Sequence, residues 1–230
     1  MYYFRPSGER GQARFGWLHS KHSFSFGHYY DPNHLGFSAL RVINDDTVKP
    51  GAGFDTHGHQ NMEIISYILE GAIEHLDSEG NHFVVPAGEI QRMSAGKGIT
   101  HSEYNHSKTK NLKFLQIWIQ PNRKDIQPSY EQKTITQAGA LTPLVTPDGR
   151  DNSLIIHQNA SLFRLQLRTG ESLRLDTLKR PGYLHIIAGN AELNGSHLLV
   201  AGDGLGVYQE KIVLTASVND LIALWFDLPR

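Results

Sequence analysis

Two pairs of side chains in this sequence have the spacing of metal ligands: His57-x-His59 and His101-x-Glu103. Successive side chains on a strand point to opposite faces, so the two members of each pair share a face and both can reach one ion. Brought together from neighbouring strands, the pairs supply three imidazole nitrogens and one carboxylate oxygen. That donor set suits a borderline divalent ion, and at an octahedral ion it leaves up to two positions open for chemistry. A closed structural zinc site more often uses cysteine, which the chain lacks. One His-x-His arises readily by chance among 13 histidines. The second pair, with Gly51, Gly80, Pro86 and Gly88 at turn spacings before and between, makes chance a poor account. Ten of the histidines fall at or before His106, so histidine-dependent chemistry belongs to the first half. Glu63 follows His59 by four residues and shares its face if the strand stays regular; ligation, a supporting hydrogen bond and plain solvation are all open to it.

The elements that must position these residues read as strands. Short apolar, β-branched or aromatic stretches, such as residues 37–44, 63–69, 112–120, 163–167, 183–187 and 221–226, alternate with turn signals. Among the turns, Asn194-Gly195 is a candidate type I′ hairpin. Helical periodicity is scarce, with one short helix expected over residues 129–138, and the fold class is all-β. An internal repeat then divides the chain. Ile68-Leu69-Glu70-Gly71-Ala72-Ile73-Glu74, Ala87-Gly88-Glu89 and Trp118-Ile119-Gln120-Pro121 are echoed in order by Ile186-Ile187-Ala188-Gly189-Asn190-Ala191-Glu192, Ala201-Gly202-Asp203 and Trp225-Phe226-Asp227-Leu228-Pro229. Two similar antiparallel β-barrels in tandem explain this better than one large sheet, with the division placed in the proline-containing stretch near residue 135: 1–134 and 135–230. Positions equivalent to His57 and His101 in the second copy fall on Leu175 and Thr215, so the C-terminal domain is expected to be metal-free.

With 22 Lys+Arg against 23 Asp+Glu and a formal charge of −1, nothing draws the whole chain to nucleic acid or an anionic membrane. The absence of cysteine excludes disulfides and thiolate chemistry and suits a reducing compartment. No signal peptide is legible at Met1-Tyr2-Tyr3-Phe4-Arg5-Pro6, and no apolar run approaches the ~20 residues of a membrane span. A cytoplasmic monomer is the expected state. No Gly-x-Ser-x-Gly elbow, Gly-x-Gly-x-x-Gly turn or P-loop appears.

Several motifs together resemble the cupin superfamily and, within it, the pirin family. They are His22-Ser23-Phe24-Ser25-Phe26 with Tyr29-Tyr30-Asp31-Pro32, the run Gly36 to Asp46, Phe54-x2-His57-x-His59-x3-Glu63, and Met93-Ser94-Ala95-Gly96-Lys97-Gly98-Ile99-x-His101-Ser102-Glu103. The resemblance implies a bicupin, two jelly-roll-like cupin domains, with one metal ion in the N-terminal one. It implies Glu103 rather than Glu63 as the fourth ligand, beside His57, His59 and His101. It also implies iron first among the candidate ions, with nickel, copper, manganese, cobalt and zinc as alternatives. Bacterial pirins resemble quercetin 2,3-dioxygenases, which open the flavonol heterocycle with O2 and release carbon monoxide. The implied activity is therefore a metal-dependent dioxygenase acting on quercetin or a related phenolic compound, with Glu103 as ligand and as base for the flavonol hydroxyl. Phe24, Phe26, Tyr29, Phe54 and Met93 are candidates for an apolar wall, although each taken singly reads as core. Other pirins resemble redox-responsive regulators that bind protein partners through a metal-dependent surface, and the ligand set does not separate the two activities. A sugar isomerase or storage-type cupin ranks last, for want of any sugar-binding pattern.

Overall fold

The computed structural model describes residues 1–230, as 22 strands and two short 3-10 turns at Ser7–Glu9 and Arg150–Asn152. The strands form four sheets, two to each half of the chain. In the N-terminal half a seven-stranded sheet runs Ser129–Thr134, Glu89–Ser94, Glu63–Glu70, Leu112–Ile119, Leu40–Val48, Leu18–His22, Gly11–Arg14. Facing it is a four-stranded sheet of Gly53–His59, Ile99–Asn105, Ala72–Asp77 and His82–Pro86. The C-terminal domain repeats the seven-plus-four arrangement, with Tyr2–Arg5 as the seventh strand of its larger sheet, and all but one pairing of strands in the molecule is antiparallel, the exception joining Leu141–Thr146 to Leu154–Ile155. The expectation of an all-β protein with two cupin domains holds, each domain being a pair of facing sheets.

Period-two alternation decides what each face does. Along Glu63–Glu70, Ile65 and Tyr67 join a cluster with Leu162, Tyr183, Leu224 and Phe226 from the other domain, so the two seven-stranded sheets share one apolar core. The opposite face carries Ile64, Ser66 and Ile68, of which Ile68 packs with Ile73 and Val85 of the four-stranded sheet. The interior of the C-terminal domain is a continuous apolar cluster that includes Leu175, Leu184, Leu205, Leu214 and Trp225. That of the N-terminal domain is apolar at its ends and polar in the middle, where Ser66, Gln91, Gln116, His101 and Glu103 are buried. Gly206 lets the domains approach, since a Cβ there would lie 2.1 Å from the Phe37 ring, and Gly204 makes room within the C-terminal domain for the Tyr183 hydroxyl.

Two local expectations had different outcomes. Asn194 and Gly195 both take positive φ (51° and 68°) within a hydrogen-bonded turn, as type I′ requires. The helix expected over residues 129–138 does not form, because Ser129–Thr134 is an edge strand on Glu89–Ser94. Cross-strand partners override its weak helical pattern: Glu131 pairs with Arg92 at 2.8 Å on one face, and the Tyr130 hydroxyl donates to Gln91 Oε1 at 2.9 Å on the other. The chain changes sheet between Thr134 and Leu141, and Tyr2–Arg5 pairs with Gly204–Val207 at the edge of the C-terminal domain.

Candidate metal centre

His57 and His59 stand on Gly53–His59, and His101 and Glu103 on the adjoining Ile99–Asn105. The register sets His101 opposite His57 and Ile99 opposite His59, and it shifts between His101 and Glu103. Ring nitrogens of His57, His59 and His101 lie within 4.8 Å of one another, and the ring centroids are 4.5 to 5.0 Å apart. Glu103 enters an overlapping group, in which donor atoms of His75, His101 and Glu103 lie within 4.8 Å. All four expected residues therefore gather in one region, and a fifth donor, His75, stands beside them.

The donors are prepared for a cation. His57 Nδ1 donates to the Asp55 carbonyl at 2.7 Å, which leaves Nε2 with its lone pair free. Both nitrogens of His101 are buried without any partner, a costly state that an ion at one of them would relieve. Burial, followed by repulsion from His101 and His57, lowers His59 to about 4; burial, followed by His57 and His75, lowers His101 to about 3. Both rings are thus neutral near neutrality, the form that ligates. Glu103 is buried and acts only as an acceptor: Gln91 Nε2 donates to Oε1 at 3.0 Å and Gln116 Nε2 to Oε2 at 2.7 Å. Ser66 Oγ sits 3.1 Å from Glu103 Oε1 and 3.0 Å from Gln116 Oε1, its one proton serving either.

A cavity of about 620 Å³ opens against His57, His59 and Glu103. Of the five candidate wall residues, Phe26, Tyr29 and Phe54 line it. Phe24 lies instead in the core between the domains, and Met93 packs with Ile64, Ala95 and Ile99. Sequence reasoning missed Trp118, whose ring meets His59 edge-on at 5.0 Å and Phe26 at 5.3 Å, and the polar floor of His22, Asn44, Asp46 and Gln116. The signal was present in the alternations Asn44-x-Asp46 and Gln116-x-Trp118. Glu63 does not face this cavity. It starts a strand in the other sheet and turns to the seam between domains, where Oε2 accepts from Ser94 Oγ at 2.7 Å and Oε1 lies 3.3 Å from His157 Nδ1.

Asp46 gives this floor a pH dependence. Burial, reinforced by the charges of Asp45 and Glu103 against a hydrogen bond from Ser20, pushes its carboxyl up to about 7. An acid whose folded pKa is raised contributes its full stability below the unfolded value of 3.8 and loses it as pH climbs through 7. Asp46→Asn should therefore leave stability unchanged near the lower limit and raise it by a few kcal/mol at about pH 8, each unit of displacement being worth about 1.4 kcal/mol. Urea denaturation at the two pH values checks this; a gain of equal size at both would contradict it.

The sequence relationships agree with the geometry. The pirin family model matches residues 3–119, and the model of the quercetinase C-terminal cupin domain matches residues 143–228. The chain belongs to the pirin family. This pirin is 47% identical over 230 residues to a protein named quercetin 2,3-dioxygenase from Escherichia coli (strain K12), covering 100% of this chain and 99% of that one. It is 39% identical over 221 residues to a pirin-like protein of Caulobacter vibrioides, covering 94% of each. A crystal structure of the bacterial pirin YhhW in complex with nickel(II), from Escherichia coli, superposes with a TM-score of 0.95 at 47% identity, covering 100% of this chain and 99% of that one. Orphaned imidazole nitrogens beside a carboxylate are a donor set that fits a divalent metal, in keeping with these relatives.

Proposed function

We propose that this pirin is a metal-dependent dioxygenase that opens the heterocycle of quercetin or a related flavonol with O2, using one ion held by His57, His59, His101 and Glu103. The observation that carries the reading is the gathering of three imidazoles and a buried carboxylate, of which His57, His59 and Glu103 line a cavity large enough for a flat aromatic molecule. Its relatives named quercetin 2,3-dioxygenase support the substrate class. Iron is the first choice of ion and nickel the second, since imidazole with one carboxylate serves either.

The ion would supply Lewis-acid polarisation of a phenolic oxygen. The remaining work falls to the protein's own groups. Trp118 and Phe26 offer apolar surface to a planar ring system beside His59. Gln91 and Gln116 fix the carboxylate plane of Glu103, so that an oxygen of Glu103 stands ready to take the proton of the flavonol hydroxyl. Leu18, Phe15 and Phe54 line the same cavity and limit water around the reacting face.

The test is anaerobic removal of metal, reloading with iron, nickel, copper, manganese, cobalt or zinc in turn, and measurement of O2 and quercetin consumption. Turnover with at least one ion, absent from the metal-free protein, is the expected outcome. Stoichiometric metal loading without turnover for any ion would instead favour the protein-binding activity of other pirins.

A further inference from the structure

Behind the candidate ligands, on the strand Ala72–Asp77, lies a second imidazole with a carboxylate at its back. His75 is fully buried, and the register sets Asp77 opposite His101 and His75 opposite Glu103, so that His75 stands diagonally behind His101. Asp77 is crowded with donors: the backbone N–H groups of Glu79 and Asn81 donate at 3.0 Å each, and Asn81 Nδ2 reaches both oxygens, at 3.1 and 2.9 Å. An anionic Asp77 requires the proton of His75 on Nε2, which donates to Oδ2 at 3.0 Å. Nδ1 is buried without any partner, and in the neutral ring it carries a lone pair that no donor meets.

His101 presents the complementary deficit. With one ring nitrogen on an ion, the other bears a proton with no acceptor, since neither nitrogen has a partner. The two rings stand 5.4 Å apart between centroids, inclined at 52°, within a group whose donor atoms lie within 4.8 Å. Tyr130 covers the other side of His75 at 4.6 Å, and its hydroxyl is already engaged with Gln91 and Gln132. We infer that His75 and Asp77 form a buried support for the metal centre, in which Asp77 fixes the tautomer of His75 and His75 Nδ1 accepts the N–H of the non-ligating nitrogen of His101. His75 is thus a positioning residue, one step further out than the usual carboxylate–histidine–metal arrangement. The inference rests on the metal reading above but not on turnover.

Two amide substitutions separate this role from packing. Asn places its terminal oxygen near where Nδ1 stood, whereas Gln extends to the place of Nε2. His75→Gln is expected to weaken nickel affinity, measured by chelator competition, by ~10–100-fold, the usual cost of losing such a partner. It is also expected to shift the d–d spectrum of the cobalt-loaded protein. His75→Asn should retain affinity to within about threefold and restore the spectrum. Equal losses in both variants, or none in either, would overturn the inference. The unmodified, zinc-loaded protein gives a reading independent of folding: long-range proton–nitrogen NMR should find His75 protonated at Nε2 only, with a hydrogen-bonded N–H on His101. A proton on His75 Nδ1, or zinc bound there, would overturn it as well. Since all these readouts are of metal binding, they stand even if no flavonol is consumed.

Discussion

His101→Ala is expected to abolish stable metal binding and, with it, all metal-dependent activity. Its ring belongs to both groups of donors in the N-terminal domain, so its removal leaves no three of the five donors converging as they do now. Losing a supporting residue from a metal site costs ~10–100-fold in affinity, and losing a ligand should exceed that. The metal-free variant should nevertheless remain folded. Truncating the ring leaves a cavity, but it also removes two buried nitrogens that have no partners, and the two effects oppose each other within about 1–2 kcal/mol. Elemental analysis and chelator competition measure the first effect, and urea denaturation of the metal-free forms the second. A variant that still held one ion per chain would refute the proposed ligand set. One that lost several kcal/mol without metal would mark His101 as mainly a packing residue.

The second large effect concerns the seam between the domains. Phe226 is fully buried in the cluster that joins the two seven-stranded sheets, with Tyr183 opposite it on one neighbouring strand and Leu162 on the other. Phe226→Ala should cost about 3–5 kcal/mol through lost burial and an unfilled cavity. Because residues of both halves share that core, the loss should appear in a single transition. Trp17 and Trp118 report from one domain and Trp225 from the other, so fluorescence of single-tryptophan variants can follow each separately. Separate transitions, with only the C-terminal one shifted, would show that the shared cluster does not couple the domains.

The parts of the site that were legible in the sequence are those governed by local alternation. His57-x-His59 and His101-x-Glu103 needed only period-two geometry to share faces, and Asn194-Gly195 needed only the left-handed tolerance of its residues. What depended on which strand lies next to which was not legible. Glu63 follows His59 closely in sequence, yet the chain crosses from one sheet to the other between them, so its carboxylate serves the domain seam. Phe24 and Met93 have the composition of a ligand-binding wall, but the facing sheet, which the sequence does not name, assigns them to core clusters. His75-x-Asp77 has the same strand spacing as the two ligand pairs and was recognisable in principle; only the register places it behind His101. The strand Ser129–Thr134 is polar enough to pass for a short helix until its cross-strand partners are known.

The pairing of Tyr2–Arg5 with Gly204–Val207 bears on how the molecule is made. During synthesis Tyr2–Arg5 must wait for a partner about 200 residues later, which at ~5–20 residues per second takes on the order of 10–40 s. Until then it is an unpaired tail, and Gly204–Val207 has an open edge of the kind that recruits foreign strands. Because that edge is closed by a strand from the other half of the sequence, loss of Gly204–Val207 would leave Tyr2–Arg5 loose, where proteases can find it.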